Sequence, residues 1–296
     1  MSKVVVVTGA SGFVGKKLVL KLISIGHEVI ALDMVDPEIQ NVTFVKVDIT
    51  NTLDDLQENI PAGATFVHLA AISTDSQCKA DPIGAINTNL AGTARVIDLA
   101  HTRQAQRFIF ASSEWVYPES PNRHLQTEET LVSLEQLSSL YAMTKLMGEN
   151  LVRSTCNIPF ITLRFGIIYG PRVKAGSAPE SIAYKISRGE DVSIGSGGTA
   201  RRFIYIDDLI DGICLTVSNE LVKVNTIYNL SGDKLVSLMD ISDEVMKLLN
   251  KDIRVIEGGS IPSVRNPDPS KFNYDFQFKP SVSIRDGLKA CITEMQ

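Results

Sequence analysis

Thr8-Gly9-Ala10-Ser11-Gly12-Phe13-Val14-Gly15 follows the apolar run Val4-Val5-Val6-Val7 and opens a stretch of helical periodicity. Glycines at these positions, between a strand and a helix, have a physical reason. One permits a tight turn, one lets backbone N–H groups approach a pyrophosphate, and one allows close helix–strand packing. The helix N-terminus then presents its partial positive charge to the phosphates. The spacing is G-x-x-G-x-x-G, not the commoner G-x-G-x-x-G, and by itself it also suits a plain βα turn. Asp33 favours the dinucleotide site. It ends the second apolar run, roughly twenty residues on, where a carboxylate can accept both adenine-ribose hydroxyls; a solvated strand-end charge is the alternative. Its charge repels a 2′-phosphate, and no Arg follows in Met34-Val35-Asp36-Pro37, so NAD is expected over NADP. Asp48, ending the third run, is placed to bond the adenine amino group.

Outward from this loop, β-branched runs alternate with longer helical patterns, which signals βαβ units and a parallel sheet. Strands are expected over residues 4–8, 28–32, 43–47, 65–69, 107–112 and 160–164, with helices over 12–25, 52–58, 83–101 and 141–155. The strand runs are nearly continuous in Val, Ile, Leu and Phe, as in strands covered on both faces. After about residue 165 the texture changes. Gly170-Pro171, Gly176, Pro179 and Gly195-Ser196-Gly197-Gly198 punctuate shorter elements, a helix is expected over 237–250, and 261–280 reads as irregular loop. The expectation is an α/β fold: a doubly wound parallel (Rossmann) sheet with a smaller C-terminal substrate-binding lobe. The NAD-binding domain would take residues 1–165 with a returning segment at about 203–230, and the lobe 166–202 and 231–296.

The 296-residue chain is 44% hydrophobic and 21% charged, which is ordinary for a globular protein. A net charge of −5 with no basic run argues against nucleic acid and against a polybasic membrane anchor. No apolar run is long enough for a signal peptide or membrane span. Cys78, Cys156, Cys214 and Cys291 form no C-x-x-C pair, and read as reduced thiols of a cytoplasmic protein. The four histidines lack metal-ligand spacing, so no metal is expected.

Tyr141-Ala142-Met143-Thr144-Lys145 opens a helical stretch and sets the phenol and the ammonium at i and i+4. A phenol is a poor base at neutral pH. A neighbouring ammonium and a nicotinium charge bring its pKa toward working range. Ser112 and Ser113, at the end of the fifth strand, are placed to hydrogen-bond a substrate oxygen. The arrangement suits hydroxyl deprotonation coupled to hydride loss from the same carbon. Alone, Y-x-x-x-K is commonly a solvated surface pair; its place after the Gly-rich loop and a Ser-bearing strand reverses that default.

Together these motifs resemble the extended short-chain dehydrogenase/reductase family, in its NAD-dependent epimerase/dehydratase branch acting on nucleotide sugars. Further matches are Val67-His68-Leu69-Ala70-Ala71, Asn89-Leu90-Ala91-Gly92-Thr93, Ala111-Ser112-Ser113-Glu114-Trp115-Val116-Tyr117, Arg164-Phe165-Gly166-Ile167-Ile168-Tyr169-Gly170-Pro171 and Arg201-Arg202-Phe203-Ile204-Tyr205-Ile206-Asp207-Asp208. The resemblance implies a cofactor site of Gly9, Gly12, Phe13, Val14, Gly15, Asp33, Asp48, Ile49, Leu69, Ala70, Ala71, Asn89, Ser112, Tyr141, Lys145 and Phe165. It makes Ser113, Tyr141 and Lys145 catalytic, and sends Arg201 to the diphosphate of a nucleotide-sugar substrate, as a guanidinium suits. It also implies a homodimer through helices 83–101 and 141–155.

Three departures bear on the reaction. Where dehydratases carry an acidic pair, this chain has Glu114 and Trp115, which disfavours elimination of water; Glu114 is an extra acid/base or polar substrate lining. Ile167 replaces an Asn that contacts substrate phosphates in many relatives. The segment 125–140 lacks the family's usual prolines. The leading expectation is an NAD-dependent epimerase of a nucleotide sugar that works by transient oxidation of a ring hydroxyl, 4-epimerase-like. The alternatives are an NAD-dependent sugar or keto-sugar dehydrogenase/reductase, and a non-catalytic NAD-binding regulatory protein.

Overall fold

The computed structural model describes residues 2–220 and 222–294. Six strands run β1 (Val4–Thr8), β2 (Glu28–Asp33), β3 (Thr43–Lys46), β4 (Thr65–His68), β5 (Arg107–Ser113) and β6 (Phe160–Phe165). With Thr226–Leu230 they form one seven-stranded sheet, ordered Thr226–Leu230, β6, β5, β4, β1, β2, β3. The pairs β1–β2, β2–β3, β1–β4 and β4–β5 are parallel. The order reverses at β1, so the exits of β1 and β4 flank the topological switch point, where ligands of such sheets bind. Register sets Thr8 of β1 directly opposite His68 of β4.

Chain contacts divide the molecule into two compact units. The first holds Met1–Val116, Leu131–Arg164 and Ile210–Tyr228. Its core includes Val6, Ile30, Phe66, Ile97, Phe108, Phe110 and Val152. Its helices are α1 (Phe13–Ser24), α2 (Asp75–Ala80), α3 (Pro82–Ile86), α4 (Thr93–Thr102) and α5 (Leu140–Thr155). Close packing of α5 on β5 depends on Gly148, where an added Cβ would come within 2.7 Å of the Phe110 ring. The expected helix at 83–101 is interrupted: Asn87–Gly92 between α3 and α4 is a π turn, whose extra residue shifts the phase of the following helix. Residues 52–58, expected as α-helix, instead contain a 3-10 stretch at Asp54–Asn59.

The second unit holds Tyr117–Thr130, Phe165–Leu209 and Asn229–Gln296. Residues 117–130, assigned to the nucleotide domain on sequence, thus pack with the second unit, where Tyr117 donates to Asn229 Oδ1 at 2.8 Å. Further helices are α6 (Ala178–Ser187), α7 (Ile206–Ser218), α8 (Leu238–Leu249), α9 (Ser270–Asp275) and α10 (Ile284–Glu294). The expected loop at 261–280 carries α9. Asp268 accepts from the Ser270 amide and hydroxyl before its first turn, and Phe272 is buried and stacks on Phe276 at 4.4 Å. Among the described residues, no helix is long and apolar enough to cross a membrane.

Candidate active site

The Gly-rich loop is held by its own backbone. Gly9 sits at φ +70°, a left-handed conformation that glycine adopts without strain. Its N–H bonds Leu32 O at 3.0 Å, and Gly12 N–H bonds Gly9 O at 3.2 Å. A Cβ on Gly15 would lie 2.1 Å from Gly9 O, so the loop closes only over glycine. Gly12 caps α1 without a side-chain bond, and no acid occupies the first turn. Neither a cap side chain nor a first-turn acid therefore competes there with a phosphate. Asp33 is fixed beside the loop, its Oδ2 accepting from Ser11 N–H at 2.9 Å and its Oδ1 from Val35 N–H at 3.1 Å. These residues fit a dinucleotide.

The remaining cofactor candidates differ in what occupies their side chains. Phe13 and Val14 are half-buried at the start of α1, as are Leu69, Ala70 and Ala71 after β4. Asp48 turns on itself, with Oδ1 accepting from both the amide and hydroxyl of Thr50. Ile49 is buried against Gly92 in the π turn. Asn89 does not present a spare amide donor. Its Nδ2 donates to Ile72 O and Thr144 Oγ1, both at 3.0 Å, and its Oδ1 accepts from Ile72 N–H at 2.8 Å. It shapes the loop after β4 instead. Phe165, at the end of β6, is buried.

The catalytic candidates come from three consecutive residues of β5 and successive turns of α5. Ser139 caps α5, accepting from Ala142 N–H at 3.2 Å, while its hydroxyl donates to Asp75 Oδ1 at 2.8 Å. Lys145 Nζ donates to Ala111 O at 2.9 Å. Ser112, expected to reach the substrate oxygen, instead donates to Glu149 Oε1 at 2.5 Å. The Ser113 hydroxyl, which accepts from Trp115 N–H at 3.3 Å, favours the charged form of the Tyr141 phenol. Glu149 also binds Arg164 bidentately, at 2.9 and 2.7 Å, and both side chains are buried.

Burial shapes the proton affinities. It pushes the Tyr141 phenol up to about 12, with Ser113 opposing it. Burial also lowers Lys145 to about 8, with the electrostatic influence of Cys78 and Glu149 opposing. The expected lowering rests on the ammonium together with a nicotinium charge; in the protein by itself, burial keeps Tyr141 neutral.

Arg201 lies in the second unit, donating to Ala200 O at 2.8 Å, Ser263 O at 2.6 Å and Ser263 Oγ at 2.7 Å. Ser263 Oγ in turn donates to Glu119 at 2.6 Å. Glu114 is fully buried, just past Ser113. Among the described residues, no three His, Cys, Asp or Glu side chains group as a metal site.

The fold and its Gly-rich loop define an α/β dinucleotide-binding protein. The chain belongs to the NAD dependent epimerase/dehydratase family, whose sequence pattern matches residues 5–231, and NAD is the cofactor of that family. The uncharacterized UDP-glucose epimerase YtcB of Bacillus subtilis is 30% identical, over 96% of this chain and 95% of its own length. A UDP-N-acetyl-alpha-D-glucosaminuronate decarboxylase of Bacillus cytotoxicus is 26% identical, over 99% of this chain and 97% of its own. Among solved structures, UDP-glucuronic acid 4-epimerase from Bacillus cereus, in complex with UDP-glucuronic acid and NAD, superposes with a TM-score of 0.86. It is 26% identical, and the match covers 99% of this chain and 98% of that one.

Sequence reasoning missed the supporting groups. Asp75 and Glu149 lie in no motif, and Thr144 and Arg164, though inside matching motifs, have no expected part in holding the centre. The one available signal was Glu149, which continues the Tyr141, Lys145 series at i+8 on one helix face.

Proposed function

We propose that the protein is an NAD-dependent epimerase of a nucleotide sugar, with a UDP-sugar as the substrate class, working by transient oxidation of a ring hydroxyl in the manner of a 4-epimerase. The observation that carries this reading is Lys145, anchored at Ala111 O one helical turn from Tyr141, with Ser113 ending the same strand. Tyr141 takes the proton of the ring hydroxyl while Ser113 holds that oxygen. Lys145, fixed beside the phenol, supplies the positive charge that favours the phenolate. Gly9, Gly12, Gly15 and Asp33 would hold NAD, which supplies the hydride acceptor and donor. Return of the proton from Tyr141 completes inversion without net redox.

The named relatives support a UDP-sugar as the substrate class. Trp115, standing where dehydratases carry a second carboxylate, favours a reaction other than dehydration, with Glu114 left as acid/base or polar lining. Arg201 is our candidate for the substrate diphosphate, its fork pre-oriented by Ser263. The apolar side chains Ile83, Ile86 and Met147 are exposed on α3 and α5, which supports a homodimer through these helices, testable by light scattering.

A decarboxylase reading is favoured by the Bacillus cytotoxicus relative, since a 4-keto uronic acid is a β-keto acid and loses CO₂ readily. The test is incubation with UDP-glucose, UDP-galactose and UDP-glucuronic acid, with products identified by NMR. A C4 epimer formed without net NADH absorbance supports the proposal. A pentose with CO₂ release identifies a decarboxylase, and sustained NADH production a dehydrogenase. Loss of turnover in Tyr141→Phe with NAD binding retained assigns the base.

A further inference from the structure

A buried chain of hydrogen bonds joins the Gly-rich loop to the helix that carries Tyr141, and the partners of its hydroxyls give it a direction. Thr8 Oγ1 lies 3.2 Å from both Leu69 N and Ala70 N, and accepts from each. A hydroxyl oxygen has two lone pairs and one hydrogen, so the Thr8 hydrogen is left for His68 Nδ1, 2.7 Å away. Nδ1 is therefore an acceptor. At the far side of the ring, Nε2 lies 2.9 Å from Thr93 Oγ1, whose own hydrogen is given to Asn89 O at 2.8 Å. Nε2 must carry the ring proton and donate it. The Asn89 side chain then bonds Ile72 and Thr144 Oγ1, and the Thr144 hydroxyl donates to Tyr141 O at 2.8 Å.

We propose that His68 is a positioning residue for the reaction, locked as the neutral Nε2–H imidazole. In that form it sets the exits of β1 and β4 against the π turn and thereby against the first turn of α5. Four of its members, Thr8, His68, Asn89 and Thr93, are all at most 2% exposed. Chains whose donors all point one way polarise one another. Charging the ring would place an Nδ1–H against the Thr8 hydrogen and would strand a cation between Phe108 and Phe110, each 6.0 Å from the ring centre. The charged group acting on the ring is Lys145, a cation itself, and with burial it lowers the His68 pKa to about 3.

This positioning role rests on Tyr141 being the acid/base; the tautomer assignment does not. Long-range ¹H–¹⁵N NMR on the histidine-labelled wild-type protein reads the ring directly, with the His68 signals assigned by their loss in His68→Gln. One imine-type Nδ1 and one pyrrole-type Nε2, unchanged from pH 5 to 8, are expected. An Nδ1–H tautomer, or a ring that protonates in this window, overturns the proposal. The functional arm compares His68→Gln, which keeps an acceptor and a donor, with His68→Phe, which keeps neither. His68→Phe is expected to lower kcat by on the order of 10²-fold through misplacement of the reacting groups. The substrate KM is expected to be little changed, NAD to be released faster, and His68→Gln to recover most of both losses. Equal kcat in wild type and His68→Phe overturns the positioning role. Absence of turnover in the wild type itself, with the tautomer as stated, sinks the functional reading and leaves the proton order standing.

Discussion

The Ser112 hydroxyl donates to Glu149 Oε1 at 2.5 Å, which ties the middle of three consecutive β5 residues to α5. Ala111 and Ser113 on either side meet Lys145 and Tyr141. The strand and helix are thus registered residue by residue, and the catalytic candidates occupy the outer two rungs. Glu149 is the rung that faces Arg164 as well, so it bears on stability and on geometry together.

Glu149→Gln keeps the size of the side chain and removes its charge, leaving the Arg164 guanidinium buried without its carboxylate. Breaking a buried pair from one side costs about 3–5 kcal/mol, whereas replacing both members with apolar residues is often far milder. The urea midpoint of Glu149→Gln should therefore fall well below wild type, and Glu149→Met with Arg164→Met should lie above it. A double variant less stable than the single one would mean that the pair is not the element that matters.

Ser113→Ala removes the hydroxyl proposed to hold the substrate oxygen, together with its influence on the Tyr141 phenol. A loss in kcat on the order of 10²-fold is expected, with bound NAD per chain unchanged. Ser112→Ala should behave differently, because its hydroxyl faces Glu149. It is expected to lower the unfolding free energy by about 1 kcal/mol and to leave kcat near wild type. Steady-state kinetics alongside denaturant titration separate the two serines.

The pH dependence of stability should carry the signature of Lys145. Its folded value of about 8 lies below the ordinary 10.5, so between these limits the unfolded chain binds more protons than the folded one. Stability then rises with pH across that window. Tyr141, raised to about 12 from 10.0, acts with the opposite sign and only above pH 10. Urea midpoints of the NAD-stripped protein at pH 7.5 and 9.5 should show a relative gain in wild type that Lys145→Met lacks. Parallel profiles for the two proteins would contradict the lowered value.

Gly15→Ala tests the closure of the loop. The added methyl would fall on Gly9 O and on the Ala10 backbone, so the turn must open or the start of α1 must move. NAD affinity should drop at least tenfold, with a stability loss of about 1–3 kcal/mol as for overpacking. Fluorescence titration with NADH and a melting curve measure both.

Much of this was legible in the sequence, for reasons that differ by element. The strands β1 to β6 are apolar enough to be read within a residue or so. Tyr141 and Lys145 stand out as candidates by their i, i+4 spacing, and Ser113 by the family resemblance. The helix α9 was hidden by Pro267 and Pro269, which read as loop until the Asp268–Ser270 turn and the burial of Phe272 are seen. Residues 117–130 were misassigned because nothing local marks a chain that leaves one unit for the other. The chain through Thr8, His68, Thr93 and Asn89 spans separate strands and a helix, and its partners, up to 60 residues apart, share no periodic pattern.

The π turn at Asn87–Gly92 gives chain length itself a role in the site. Each residue added to a helix turns everything after it by about 100°, so the extra residue sets the rotational phase between Asn89 and Thr93 and the outer face begun by Ile83 and Ile86. Loss of a single codon there would keep every side chain discussed above except one. It would nonetheless rotate α4 relative to α3, carrying Thr93 away from His68. The helix therefore tolerates many substitutions on its surface but not a change of count, and an in-frame deletion should be more damaging here than almost any point mutation.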